Sequence, residues 1–145
     1  MFSRSQDIKG DVKEPGEKIR QATILLVEDE QRVRDVMELT LSLDGYHVLS
    51  VGSASEALEI IDNYSDKIDL MVTDFAMPQM NGAALAAKLK RVRPQVKVLY
   101  VSGFQKQEVL DFQEKSVRAS AEFLQKPFTP EALEVKVRNL LAEAA

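Results

Sequence analysis

Leu70-Met71-Val72-Thr73-Asp74-Phe75-Ala76-Met77-Pro78-Gln79-Met80-Asn81-Gly82 decides how the rest of the chain is read. The apolar opening of this stretch has the pattern of a strand covered on both faces, and an acid, Asp74, stands where the strand stops. Pro78 cannot continue a ladder, and Asn81-Gly82 turns the chain into a helix. In an open parallel sheet, ligands bind outside the carboxyl ends of the strands. Asp74 is therefore expected to be exposed on such a rim, with the residues before it covered by helices.

The same grammar repeats on both sides. Upstream, Ile24-Leu25-Leu26-Val27 is a short continuous apolar run that ends in Glu28-Asp29-Glu30. A helix is predicted from there to about Leu43, with Val33, Val36, Met37, Thr40 and Leu41 on its inner face and Gly45 as its stop. Tyr46 to Val51 reads as the second strand. Ser53-Ala54-Ser55-Glu56 is a capping-box pattern that opens a second helix with Ala57, Leu58, Ile60, Ile61 and Tyr64 inward. Ile68 to Asp74 is the third strand, followed by a helix from about Gly82 to Arg91.

Beyond Pro94, Val96 to Val101 forms the fourth strand and ends at Ser102-Gly103. A weakly amphipathic helix is expected over Lys106 to Val117, and a fifth strand over Glu122 to Gln125, closing at Lys126-Pro127. Thr129 with Pro130 is an N-cap followed by proline at the first helical position. The last helix turns Leu133, Val137, Leu140 and Leu141 inward. Five strands alternating with five helices predict an α/β fold, a flavodoxin-like doubly wound parallel sheet of strand order 2-1-3-4-5 with helices on both faces.

The 145 residues suit one domain with a proper core. Residues 1–21 mix charges of both signs with Gly10, Pro15 and Gly16 and have few apolar side chains, so they read as a flexible tail or linker. Residues 22–145 read as the folded unit. A net charge of −4 disfavours binding to a phosphate backbone as the main activity. The absence of cysteine removes disulfide frameworks and thiolate zinc sites. No apolar run reaches membrane-spanning length, and the amino terminus has no signal-peptide core, so a cytoplasmic location without membrane contact is expected.

The strand ends hold the chemistry. Glu28-Asp29 follows the first strand, Asp74 the third, Ser102 the fourth and Lys126 the fifth, and this topology brings them to one rim. Oxygen ligands without His or Cys suit Mg²⁺ or Mn²⁺, held by Asp29 and Asp74 with Glu28 acting through a water. A carboxylate such as Asp74 can attack phosphorus to form an aspartyl phosphate if the charge of the transferring group is neutralised and the attack is in line. A metal and Lys126 supply the first condition, and Ser102 can hydrogen-bond a phosphoryl oxygen.

Four features together, Leu26-Val27-Glu28-Asp29-Glu30, Asp74-Phe75-Ala76-Met77-Pro78 with Gly82, Val101-Ser102-Gly103 and Lys126-Pro127-Phe128, make the chain resemble the receiver domain of two-component response regulators. The resemblance spans roughly Thr23 to Ala142. It implies that Asp74 is the phosphoacceptor, that Glu28, Asp29 and Asp74 with the carbonyl of Ala76 hold Mg²⁺, and that Lys126 contacts phosphate across a cis Lys126–Pro127 bond. It further implies that Ser102 and Phe123 are the switch pair. The partner implied is a histidine kinase or histidine phosphotransfer protein, since the chain has no Gly-rich loop for ATP. The readout face implied is the fourth helix, fifth strand and fifth helix, which also offers a homodimer surface. Tyr100 to Phe104 and Phe123 to Leu133 look like receivers of hybrid histidine kinases, whereas the Met start suggests a stand-alone receiver.

Two other readings compete. One is a Mg²⁺-dependent phosphohydrolase working through an aspartyl phosphate. Such enzymes usually put the nucleophile after the first strand with a second Asp two residues on, where this chain has Ala76. The other is a receiver-like interaction module that takes no phosphate. Bland readings also apply to single residues: Glu30 favours a helix amino terminus, His47 is a surface strand residue, and Met77 and Met80 are packing.

Overall fold

The computed structural model describes residues 21–103 and 121–143. Strands β1 (Thr23–Val27), β2 (His47–Val51), β3 (Leu70–Asp74), β4 (Lys97–Ser102) and β5 (Ala121–Gln125) form one sheet. Every pairing is parallel, and the order is β2-β1-β3-β4-β5, the 2-1-3-4-5 topology expected from the sequence. Helices α1 (Gln31–Leu43), α2 (Ala54–Asn63), α3 (Gly82–Val92) and a C-terminal helix (Pro130–Glu143) are the helices seen among the described residues. The expected helix over 106–117 lies outside the described residues, as do Phe104 and residues 1–20.

The central strands are apolar along their whole length because both faces are covered. Ile24 to Val27 and Leu70 to Val72 are completely enclosed. Leu25, Val27, Met71, Val98 and Tyr100 pack with Ala57, Ile61, Leu85 and Leu89 of α2 and α3. Ile24, Leu26, Leu70, Val72, Leu99 and Val101 face Met37 and Leu41 of α1 and Leu133, Val137 and Leu140 of the C-terminal helix. The edge strand β2 is only half-buried, and its first residue, His47, is exposed.

Helix ends follow the local chemistry. Gly45 ends α1 with φ of 94°, a conformation that favours glycine. Asn81 caps α3 by accepting from the Ala84 N–H at 2.8 Å. Thr129 accepts from the Ala132 N–H at 3.1 Å, ahead of Pro130. At α2, the Glu56 N–H donates to Ser53 Oγ at 3.2 Å, as a capping box requires. The reciprocal bond is displaced by one residue: the Glu56 carboxylate accepts from the Gly52 N–H at 2.9 Å.

One face assignment is corrected. The spacing predicts Val36 on the inner face, but it is 55% exposed. At about 100° of rotation per residue, Val36 lies a quarter-turn from Met37, beyond Thr40 on the margin of the inward stripe.

Candidate functional site

Four of the five strands deliver polar groups to the carboxyl-end rim: β1 Glu28 and Asp29, β3 Asp74, β4 Ser102 and β5 Lys126. The Glu28 N–H donates to the Val51 carbonyl at 3.1 Å, extending the β1–β2 ladder one residue past Val27. The Phe75 N–H does the same to Val101 at 3.0 Å, extending the β3–β4 ladder, and the Lys126 N–H donates to the Ser102 carbonyl at 2.7 Å. Glu28, Asp74, Ser102 and Lys126 are thus held by strand geometry and not by free loops. Gly82 must be glycine for space: a Cβ there would lie 2.9 Å from the Asp74 carbonyl oxygen and 3.1 Å from the Phe75 Cα. That closeness lets the Gly82 N–H donate to the Phe75 carbonyl at 2.6 Å, which folds the loop after Asp74 back onto the strand.

Carboxylate oxygens of Glu28, Asp29 and Asp74 all lie within 4.8 Å of one another. Lys126 Nζ stands 3.3 Å from Glu28 Oε1 and 3.4 Å from Asp74 Oδ2. The other Glu28 oxygen accepts from the Glu30 N–H at 3.1 Å, and the Asp74 carboxylate accepts from the backbone of Ala76. The expected exposure of Asp74 is corrected: Asp74 is only 8% exposed and Glu28 1%, while Asp29 faces solvent. The reason is local. The loop that Gly82 draws back and the ammonium of Lys126 close over a rim that a bare sheet end would leave open.

The electrostatics follow from this enclosure. Burial pushes the Glu28 carboxyl above its usual range, and repulsion from Asp74 adds to that, against the Glu30 N–H and Lys126. Burial also raises Asp74, opposed chiefly by Lys126 and reinforced by Asp29. Burial alone would lower Lys126, but attraction to Asp74 and Glu28 outweighs it and raises the ammonium. One cation serves two buried acids, so the lysine gains from both while each acid remains under-compensated.

The hard-oxygen set of three carboxylates, with no nitrogen or sulfur donor, fits a hard divalent cation such as Mg²⁺ or Mn²⁺ better than a softer ion such as Zn²⁺ or Cu²⁺. Ser102 is buried at the end of β4 beside this cluster. Phe123 is not on the rim: it pairs in register with Tyr100, half-buried against the α2–α3 side of the core. The Lys126–Pro127 bond is cis. A groove of about 650 Å³ opens beside Lys126, lined by Val33, Val36, Met37, Pro127 and Phe128 together with the charged Glu30 and Arg32. Sequence reasoning misses that groove, because helical spacing places Val36 on the inner face.

A family model described as response regulator receiver domain matches residues 24–138. This chain belongs to that family. The receiver is 37% identical over 122 residues to the sensor kinase CckA of Brucella abortus, covering 83% of this chain and 12% of CckA. It therefore spans a small part of that relative's length. A CheY-like receiver domain protein from Methanospirillum hungatei superposes with a TM-score of 0.77 at 30% identity, covering 86% of this chain and 97% of that one. The response regulator TrrA of Thermotoga maritima, solved in complex with Mg²⁺-BeF, gives a TM-score of 0.69 at 25% identity, covering 83% of this receiver and 99% of TrrA. The five-stranded parallel order and the acidic cluster of this receiver thus stand within a family built on the same plan.

Proposed function

We propose that Asp74 takes a phosphoryl group from the phosphohistidine of a histidine kinase or histidine phosphotransfer protein. The observation that carries this reading is the meeting of three carboxylates within 4.8 Å with one lysine ammonium between two of them. In the step, an Asp74 oxygen attacks phosphorus, the phosphorus–nitrogen bond to the donor imidazole breaks, and the imidazole takes a proton from water. Glu28, Asp29 and Asp74, with the Ala76 carbonyl, would hold Mg²⁺. Bound there, the ion would neutralise phosphoryl oxygens during transfer. The TrrA complex with Mg²⁺-BeF supports this assignment. Lys126 would stabilise a phosphoryl oxygen, and its contact with Asp74 favours the carboxylate form that attacks, against the effect of burial.

Ser102 and Phe123 form the switch in this reading. Ser102 moves toward the phosphoryl group, and Phe123 turns inward beside Tyr100. The phosphoryl group biases an existing equilibrium toward that arrangement. The readout face, which includes β5 and the C-terminal helix, then engages a downstream partner or a second copy of the chain. The groove beside Lys126, at the start of α1, is the surface on which the phosphohistidine protein would sit in this reading. Residues 22–145 would act as this receiver and residues 1–21 as tail or linker, working in the cytoplasm. No helix among the described residues is long and apolar enough to cross a membrane.

Acetyl phosphate with Mg²⁺ should add one phosphoryl group to the intact chain, traced by peptide mass spectrometry to Asp74 and absent from Asp74→Asn. Labelling that persists in Asp74→Asn, or none in the wild type, would overturn the assignment.

A further inference from the structure

Arg34, near the start of α1, is half-buried and donates from Nη1 to the Glu28 carbonyl at 2.8 Å. That carbonyl belongs to the peptide joining Glu28 to Asp29. The amide on the other side of Glu28 is already held by Val51. The guanidinium therefore fixes the second of the two peptide planes that flank Glu28, and with it the direction in which Asp29 leaves the backbone. Asp29 most needs such help, because it is the exposed member of the acid cluster and lacks the enclosure that holds Glu28 and Asp74.

A second observation, on another loop, marks the same contact. A Cβ on Gly52 would lie 2.8 Å from Arg34 Nη1 and 3.4 Å from Cζ. Gly52 does not occupy the left-handed region in which Gly45 sits, so its backbone does not call for glycine. What a side chain there would meet is the guanidinium of Arg34, which would have to move aside to admit it. Gly52 and Asp29 also line one small cavity of about 160 Å³ together with Ser53 and Met77. The loop after β2, the start of α1 and the Glu28–Asp29 peptide thus meet at one arginine.

We propose that Arg34 is a positioning residue of the acidic pocket, acting through the Glu28 carbonyl to aim Asp29 at Asp74, and that Gly52 is the space it requires. This rests on the reading of the pocket as a divalent-cation site. The sign of the effect separates this role from a simple charge effect. A cation next to a metal site repels the metal, so electrostatics alone makes removal of Arg34 tighten binding. Loss of positioning weakens it, as removal of groups that orient metal ligands does, by about tenfold or more.

The test is titration of the full chain with Mg²⁺ alone, followed by calorimetry, on wild type, Arg34→Ala, Arg34→Lys, Gly52→Ala and the Arg34→Ala/Gly52→Ala double variant, each checked for folding by circular dichroism. Arg34→Ala and Gly52→Ala should each weaken Mg²⁺ binding by about tenfold. The double variant should be no weaker than Arg34→Ala, because the guanidinium that the added methyl group would displace is already gone. Arg34→Lys keeps the charge and one donor, and should recover part of the affinity. If Arg34→Ala does not fold, Gly52→Ala reads out the same displacement. Unchanged or tighter binding in a folded Arg34→Ala or Gly52→Ala variant would overturn the role of Arg34 while leaving the pocket intact. A wild-type chain that took no Mg²⁺ would overturn the cation site itself.

Discussion

The two ends of the sheet use most of their charged side chains differently, although Arg34 also closes a backbone carbonyl at the carboxyl end. At the amino end, Arg93 donates to the carbonyls of Ile61, Asp66 and Tyr64 at 2.9, 2.9 and 2.5 Å. Lys90 donates to the carbonyls of Pro94 and Val96 at 3.1 and 2.6 Å, and Asp69 accepts from the Thr23 N–H at 2.8 Å. There the charges close off backbone groups left by helix and strand ends. At the carboxyl end, acids are set against acids with a single lysine shared between two of them. The first end is built to be stable, and the second keeps a repulsion that an incoming cation can relieve. Stability and function are thus separated along the strand direction.

The largest expected effect that would break this contrast is at Arg93. Arg93→Ala removes three hydrogen bonds from a charged donor and should cost about 3 kcal/mol in denaturant unfolding, with Mg²⁺ affinity unchanged. A change in Mg²⁺ affinity would mean that the two ends are coupled. Next is Lys126→Met, which leaves Glu28 buried against two acids. In chelator it should destabilise by about 2 kcal/mol, less than a fully buried pair would because the lysine is partly exposed. Saturating Mg²⁺ should restore most of that loss, which can be read from melting curves with and without the ion.

Asp74→Asn should act in the opposite direction. At an effective dielectric near 20, each acid pair costs about 3 kcal/mol and the Lys126 contact returns about 5 kcal/mol. Water screens the Asp29 share, and burial disfavours the charge. The net expectation is a gain of about 1 kcal/mol in chelator for the amide. Its pH dependence fixes the sign. The folded-state pKa values of Asp74 and Glu28 are raised, so each acid favours the fold while protonated and loses that contribution as pH rises through its raised value. The advantage of Asp74→Asn should therefore be absent in acid and full at neutral pH. Equal stabilities at neutral pH would remove the case for stored repulsion. The smallest effect is at Asp69: Asp69→Asn keeps an acceptor oxygen for the Thr23 N–H and should cost under about 1 kcal/mol.

Much of this was legible in the residues, because strands covered on both faces must be apolar throughout and because each stops at a polar group. Glu28, Asp29, Asp74, Ser102 and Lys126 could be gathered from chain order and the 2-1-3-4-5 topology alone. What could not be read were quantities that depend on how loops close. Asp74 reads as exposed from its place after a strand, and the retreat of the loop onto Gly82 together with the Lys126 ammonium covers it. Val36 follows the inward pattern of α1 in the sequence, and its exposure depends on how the helix is rolled against the sheet. Arg93 carries no motif, since its partners are three carbonyls up to 32 residues away, and a carbonyl is the same in every amino acid. Phe123 reads as a switch aromatic only by resemblance, and its register with Tyr100 sets it half-buried against the α2–α3 side of the core.

Lys126 follows directly on β5, an outer strand of the sheet, yet its ammonium rests on side chains of the β1 and β3 ends. The side chain is in effect a tether thrown from the border of the sheet across to its middle. Anything that draws the ammonium aside pulls on a strand at the sheet's border, with no further strand beside it among the described residues to resist. News of a chemical event at the centre therefore has a short mechanical route to the margin of the molecule, where another protein can feel it.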